Sequence, residues 1–107
     1  MSENRRLDFL SEAFLKTKLT VAKDQVASDL DSETVILHVK TGNYYGLNEV
    51  GTRIWGLLQG GTTVPSIRET ILNEYDVARE TFERDLQSIL SDLHEKGLIE
   101  VEYEEAA

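Results

Sequence analysis

The chain of 107 residues contains no cysteine, one proline, one tryptophan and two histidines. Without cysteine there is no disulfide, no thiolate metal site and no thiol nucleophile. Two widely separated histidines, His38 and His94, argue against a histidine-rich metal cluster. No apolar run approaches the roughly 18 residues that a membrane span needs. The opening MSENRRLDFL carries charge but no following apolar stretch, unlike a secretory signal. Positive charge is also scarce: 11 Lys and Arg against 20 Asp and Glu give a net charge of −9. Such a balance repels nucleic-acid phosphates at long range, although a local basic patch could overcome it. What is present is ordinary for a globular domain, with 40% apolar and 29% charged residues. One soluble, cytoplasmic domain with a single core is expected.

Along the chain, Leu7, Leu10 and Phe14 recur at helical spacing, predicting a short amphipathic helix or arm over Arg6 to Lys16. Its uses would be packing on the domain, packing on a twin subunit or contact with a membrane surface, the last opposed by the acidic domain behind it. Val26 to Leu30 and Thr34 to Val39 flank Asp31-Ser32 and read as a hairpin. Val35, Leu37 and Val39 alternate in the second run, with Ile36 on the opposite face. Lys40-Thr41-Gly42-Asn43 is a turn in which Gly42 can take positive φ. Tyr44 to Leu47 returns as a third strand. The period then switches. Asn48 caps a helix with Val50, Ile54, Leu57 and Leu58 on one stripe, completed by Trp55 and ended by Gly60-Gly61. Thr63 caps a second helix with Pro65 in its first turn and Val64, Ile67, Ile71, Leu72 and Tyr75 inward. A third helix, from Arg79 to Lys96, places Phe82, Leu86, Ile89, Leu90 and Leu93 inward and stops at Gly97. Ile99, Val101 and Tyr103 alternate with glutamates as a short half-exposed strand or a frayed tail. Strands followed by helices argue an α+β fold, not a parallel α/β sheet. The expected architecture is a three-stranded antiparallel sheet followed by three helices.

Chemistry is hard to find in these residues. Asp29, Asp31 and Glu33 resemble the start of a calcium loop, but Thr34 and Lys40 stand where that loop needs Gly and Glu. Neither histidine has a nucleophile or partner in its local sequence. Gly60-Gly61 follows a helix and does not open one, so no phosphate loop is formed. No enzyme, cofactor or metal is expected. Three helices beside a small sheet could form a winged helix-turn-helix, which raises DNA binding. The third helix, however, sets Arg79, Arg84 and Lys96 against Glu80, Glu83, Asp85, Asp92 and Glu95. The second has Arg68 against Glu69 and Glu74. Neither suits a phosphate backbone. What remains is Asn43-Tyr44-Tyr45-Gly46-Leu47, a strand without the charges or proline that usually blunt a sheet edge. It is either covered by the N-terminal arm or open to a guest strand, which would bind through main-chain bonds. The residue types also allow a plainer reading, with Tyr45 and Leu47 in the core and Tyr44 as an exposed neighbour.

The segments VILHVKTGNYYGLNEVGTRIWGLL, TVPSIRETILNEYDV and DLQSILSDLHEKGLIE together resemble the PqqD-like family, the recognition elements for precursors of ribosomally made, modified peptides. They look most like the small discrete members of lasso-peptide biosynthesis. The likeness covers about Leu19 to Val101. It implies a winged helix-turn-helix-like domain over 19–103, with 1–18 as an arm and 104–107 as a tail. It further implies a non-catalytic adaptor that takes the precursor's leader segment as an added strand in a cleft against the third helix. Carried onto this chain, the strand positions are Asn43, Tyr44, Tyr45, Gly46 and Leu47. The helix positions fall among Thr81, Arg84, Asp85, Ser88 and Asp92, with Arg84 the expected partner of an acidic leader residue. The implied enzyme partner is a leader peptidase in a lasso pathway or a radical enzyme in a pyrroloquinoline quinone pathway. Neither nucleic acid nor membrane is an expected partner. The arm is longer than the minimal module, which leaves room for edge shielding or a homodimer. Ala78 stands where the third helix usually has a capping residue or proline. The alternatives are an acidic winged-helix transcription regulator and a generic dimerisation module.

Overall fold

The structure, a computed structural model, describes residues 7–102. Its elements run β1 (Lys18–Val21), β2 (Gln25–Leu30), β3 (Glu33–His38), β4 (Tyr44–Leu47), α1 (Glu49–Gln59), α2 (Val64–Glu74), α3 (Arg79–Glu95) and β5 (Ile99–Glu102). β2, β3 and β4 form an antiparallel sheet in that order, followed by the three helices, so the α+β architecture expected from the sequence is present. Tyr103 and the remaining tail lie outside the described residues.

Local chemistry places the breaks. Asp31 turns the β2–β3 hairpin at φ 59°, a conformation that Asp tolerates better than most residues. Gly42, at φ 79°, turns β3 into β4. The Asn48 side chain accepts from the Gly51 N–H at 2.9 Å and starts α1. Thr63 caps α2 through the Ser66 N–H. At the end of α3, the Leu98 N–H donates to the Leu93 carbonyl and the Gly97 N–H to the His94 carbonyl. This is a Schellman ending, with Gly97 at φ 72°. The core beneath the sheet takes Trp55 from α1, Ile67 and Ile71 from α2, and Phe82, Leu86 and Leu90 from α3.

Three sequence expectations are sharpened or changed. The N-terminal segment, left open between helix and arm, runs among the described residues across α3 with one 3-10 turn at Glu12–Phe14. Its backbone groups are bonded elsewhere. Gln87 accepts from the Phe9 N–H and donates to the Leu7 carbonyl, each at 2.8 Å, and Asp8 takes the Leu10 N–H. Phe9 is buried against Phe14 and the edge of the His94 ring. The second change is a separate two-stranded sheet. Residues 18–21 pair with β5, which the sequence left open between strand and frayed tail. The third concerns β3: Ile36 and Thr34 face the core, while Val35 and Leu37 face solvent. Thr34 can be buried because its hydroxyl bonds to Asp29 and Thr52. Val26, Leu30, Val35, Leu37, Val39 and Tyr44 are left exposed, most of them across the outer face of the sheet.

Candidate peptide-binding groove

β4 is the edge of its sheet, bonded to β3 on one side only. Its register decides what the free side offers. The His38 N–H donates to the Asn43 carbonyl at 2.8 Å, which makes that pair hydrogen-bonded; Ile36–Tyr45 and Thr34–Leu47 follow two residues apart. Tyr45 and Leu47 therefore direct their main-chain groups at β3. Tyr44 and Gly46 direct theirs outward, as two N–H donors and two carbonyl acceptors. Asn43 contributes little to this row. Its carbonyl serves His38, and its N–H donates to the Thr41 hydroxyl at 3.2 Å. Among the described residues, the arm is held on α3 by Gln87.

Side chains follow the same alternation. Tyr44 is 71% exposed on the outer face, and Leu47 is 5% exposed beneath the sheet. Tyr45 leans inward, and its hydroxyl donates to Asp92 Oδ2 at 3.1 Å, tying β4 to α3. Burial, then the hydrogen bond to Asp92 and its negative charge, raise the Tyr45 hydroxyl above the usual tyrosine value.

Between β4, the start of α1 and α3 lie two depressions that share Asn48 and Ile89. One, of about 230 Å³, runs along Tyr45, Gly46 and Leu47. The other, of about 380 Å³, is walled by Val50, Val77, Phe82 and Ile89, with Thr81, Asp85 and Ser88 on its α3 side. Of the helix positions expected to face the cleft, Thr81, Asp85 and Ser88 thus come together, spaced four and three residues apart on one stripe of the helix. Asp92 extends that stripe and meets Tyr45. Arg84 lines neither depression and is exposed. The apolar walls were not expected as site residues. Val50, Phe82 and Ile89 read as core from periodicity, and Val77 sits in a loop that carries no period. Ile89 next to Leu90 widens the apolar stripe of α3, which is the one sequence signal for a second apolar surface there.

The two histidines have structural surroundings. His38 Nδ1 accepts from the Lys40 and Thr41 N–H groups, each at 3.3 Å, and His94 packs on Phe9. Among the described residues no three His, Asp or Glu side chains gather as a metal site. No described helix is long and apolar enough to cross a membrane.

Known proteins resemble this chain in sequence and fold. The family described as Coenzyme PQQ synthesis protein D (PqqD) matches residues 33–99. The solved structure of TbiB1 in complex with the TbiA(beta) leader peptide is similar at 43% identity and a TM-score of 0.69, over 76% of this chain and 94% of that one. A lasso peptide synthetase B1 complexed with the leader peptide shares the fold, at 24% identity and a TM-score of 0.66, over 77% of this chain and 96% of that one. No curated protein matches this chain.

Proposed function

From the premise that this chain belongs to the PqqD family, we propose that it binds the leader segment of a ribosomally made precursor peptide and presents it to an enzyme. The observation that carries the reading is the open β4 edge beside an apolar groove. A leader laid antiparallel or parallel to β4 would bond to Tyr44 and Gly46 and place alternate side chains against α3. Support also comes from the 43% identical TbiB1, which was solved with a leader peptide. Thr81, Asp85 and Ser88 form the helical wall of this site and Tyr45 and Leu47 its floor, with Asp92 joined to the floor through the Tyr45 hydroxyl.

The role is non-catalytic. Delivery works through effective concentration: once leader and enzyme share one scaffold, the reacting segment meets the active site as if tethered. The downstream enzyme is a leader peptidase in a lasso pathway or a radical enzyme in a quinone-cofactor pathway. Burial of Phe9 and Phe14 within their own chain supports a single chain as the binding unit.

Fluorescence polarisation with labelled TbiA(beta) leader peptide, and separately with duplex DNA, tests the proposal. Micromolar or tighter peptide binding without DNA binding is the expected result. DNA binding without peptide binding would overturn it in favour of the winged-helix regulator.

A further inference from the structure

We infer that the guest peptide is cationic where it crosses α3, with a Lys or Arg two residues from an apolar side chain that fills the larger depression. The inference rests on the peptide-binding reading above and adds the residue class that the groove selects.

The larger depression has four apolar walls and one ionisable residue, Asp85. No Lys or Arg lines it or the smaller one. Among the described residues Asp85 has no hydrogen-bond or ion-pair partner, so its charge faces the groove without compensation. Arg84, the sequence neighbour of Asp85, lines neither depression, and three other arginines are held by glutamates. Arg53 is held by Glu74, while Arg68 and Arg79 converge on Glu83. An acidic peptide would approach this wall against a net charge of −9, whereas a basic one is steered toward it.

Strand geometry sets the spacing. Side chains on one face of a strand recur every second residue, about 6.6 Å apart. One turn of α3 rises about 5.4 Å. An apolar residue seated among Val50, Val77, Phe82 and Ile89 therefore puts its second neighbour, not its first, on the face that meets the α3 wall. The inference differs from the sequence expectation that Arg84 would meet an acidic leader residue, and Arg84 lines neither depression.

Selection of an mRNA-displayed random-peptide library on the full chain and on Asp85→Lys, in parallel, tests the inference. The wild-type chain should enrich Lys or Arg two residues from a large apolar residue. Asp85→Lys should lose that preference and take Asp or Glu at the same position. The best wild-type peptide should bind Asp85→Lys about three- to tenfold more weakly, with the loss shrinking at high salt. Because Asp85 is exposed, circular dichroism should report an unchanged fold. Apolar enrichment without a basic preference, or identical enrichment by both proteins, would overturn the inference and leave the peptide-binding reading standing. No enrichment by either folded protein would overturn both.

Discussion

Gly46→Pro separates the open edge from the rest of the fold. Gly46 points its N–H away from β3, so proline removes a donor that the free chain does not use within the sheet. A Cβ at this position would meet nothing within 4 Å, so the free molecule has room for the ring's root. Proline also restricts the preceding residue to extended backbone, which Tyr45 already has in β4. The stability change should stay within about 1 kcal/mol. Binding is affected differently. One main-chain hydrogen bond, worth about 0.5–1.5 kcal/mol net, is lost, and the guest carbonyl it served is left unpaired at a cost of about 1–3 kcal/mol. These overlap, and a net loss of about 1.5–3 kcal/mol corresponds to roughly 10- to 150-fold in Kd. Tyr45→Pro is the counterpart. Its N–H faces β3, so this variant should lose several degrees of Tm before binding is considered. Polarisation titrations with the TbiA(beta) leader, beside thermal melts, read both effects. If Gly46→Pro keeps its Tm and binds as tightly as the wild type, the strand-addition argument is refuted.

Other perturbations follow from the same geometry. Tyr45→Phe removes the hydroxyl that joins β4 to Asp92. Because the folded-state value of that hydroxyl is raised, its contribution is complete below about pH 10 and is lost as pH climbs through the raised value. Wild-type stability should therefore fall on alkaline titration by a component that Tyr45→Phe lacks, as measured by urea melts from pH 8 upward. Gln87→Ala strands the Phe9 N–H and the Leu7 carbonyl and should cost about 1–3 kcal/mol, while leaving peptide affinity unchanged because Gln87 lies outside the groove. Leu90→Ala, in the core beneath α3, should cost about 2–5 kcal/mol. The emission of Trp55, which is only 2% exposed, reports that loss directly.

Much of this fold was legible because period and punctuation agreed. Asn48, Thr63 and Gly97 each mark a helix boundary by a side chain or φ angle that the structure uses for that purpose. The N-terminal segment stayed open between helix and arm because Leu7, Leu10 and Phe14 keep helical spacing although backbone groups of this segment bond to Gln87, nearly eighty residues away. No local pattern carries such a bond. The β1–β5 pair was hidden for the same reason: residues 99–103 alternate, but their partner strand lies at the opposite end of the chain. In the groove, the strand half could be read from Tyr44 to Leu47, since an unblunted edge is a property of residue type. The helical half needed three dimensions. Thr81, Asp85 and Ser88 share a stripe that any helix would give them, but only the position of β4 and Val77 shows that this stripe, and not that of Arg84, faces the cavity.

Amide hydrogen exchange at single-residue resolution, with and without saturating TbiA(beta) leader peptide, tests strand addition most directly. In the free chain the Tyr45 and Leu47 N–H groups should be protected by β3, and those of Tyr44 and Gly46 should exchange fast. Binding should slow Tyr44 and Gly46 selectively. Saturation with no change at those two amides would contradict the account.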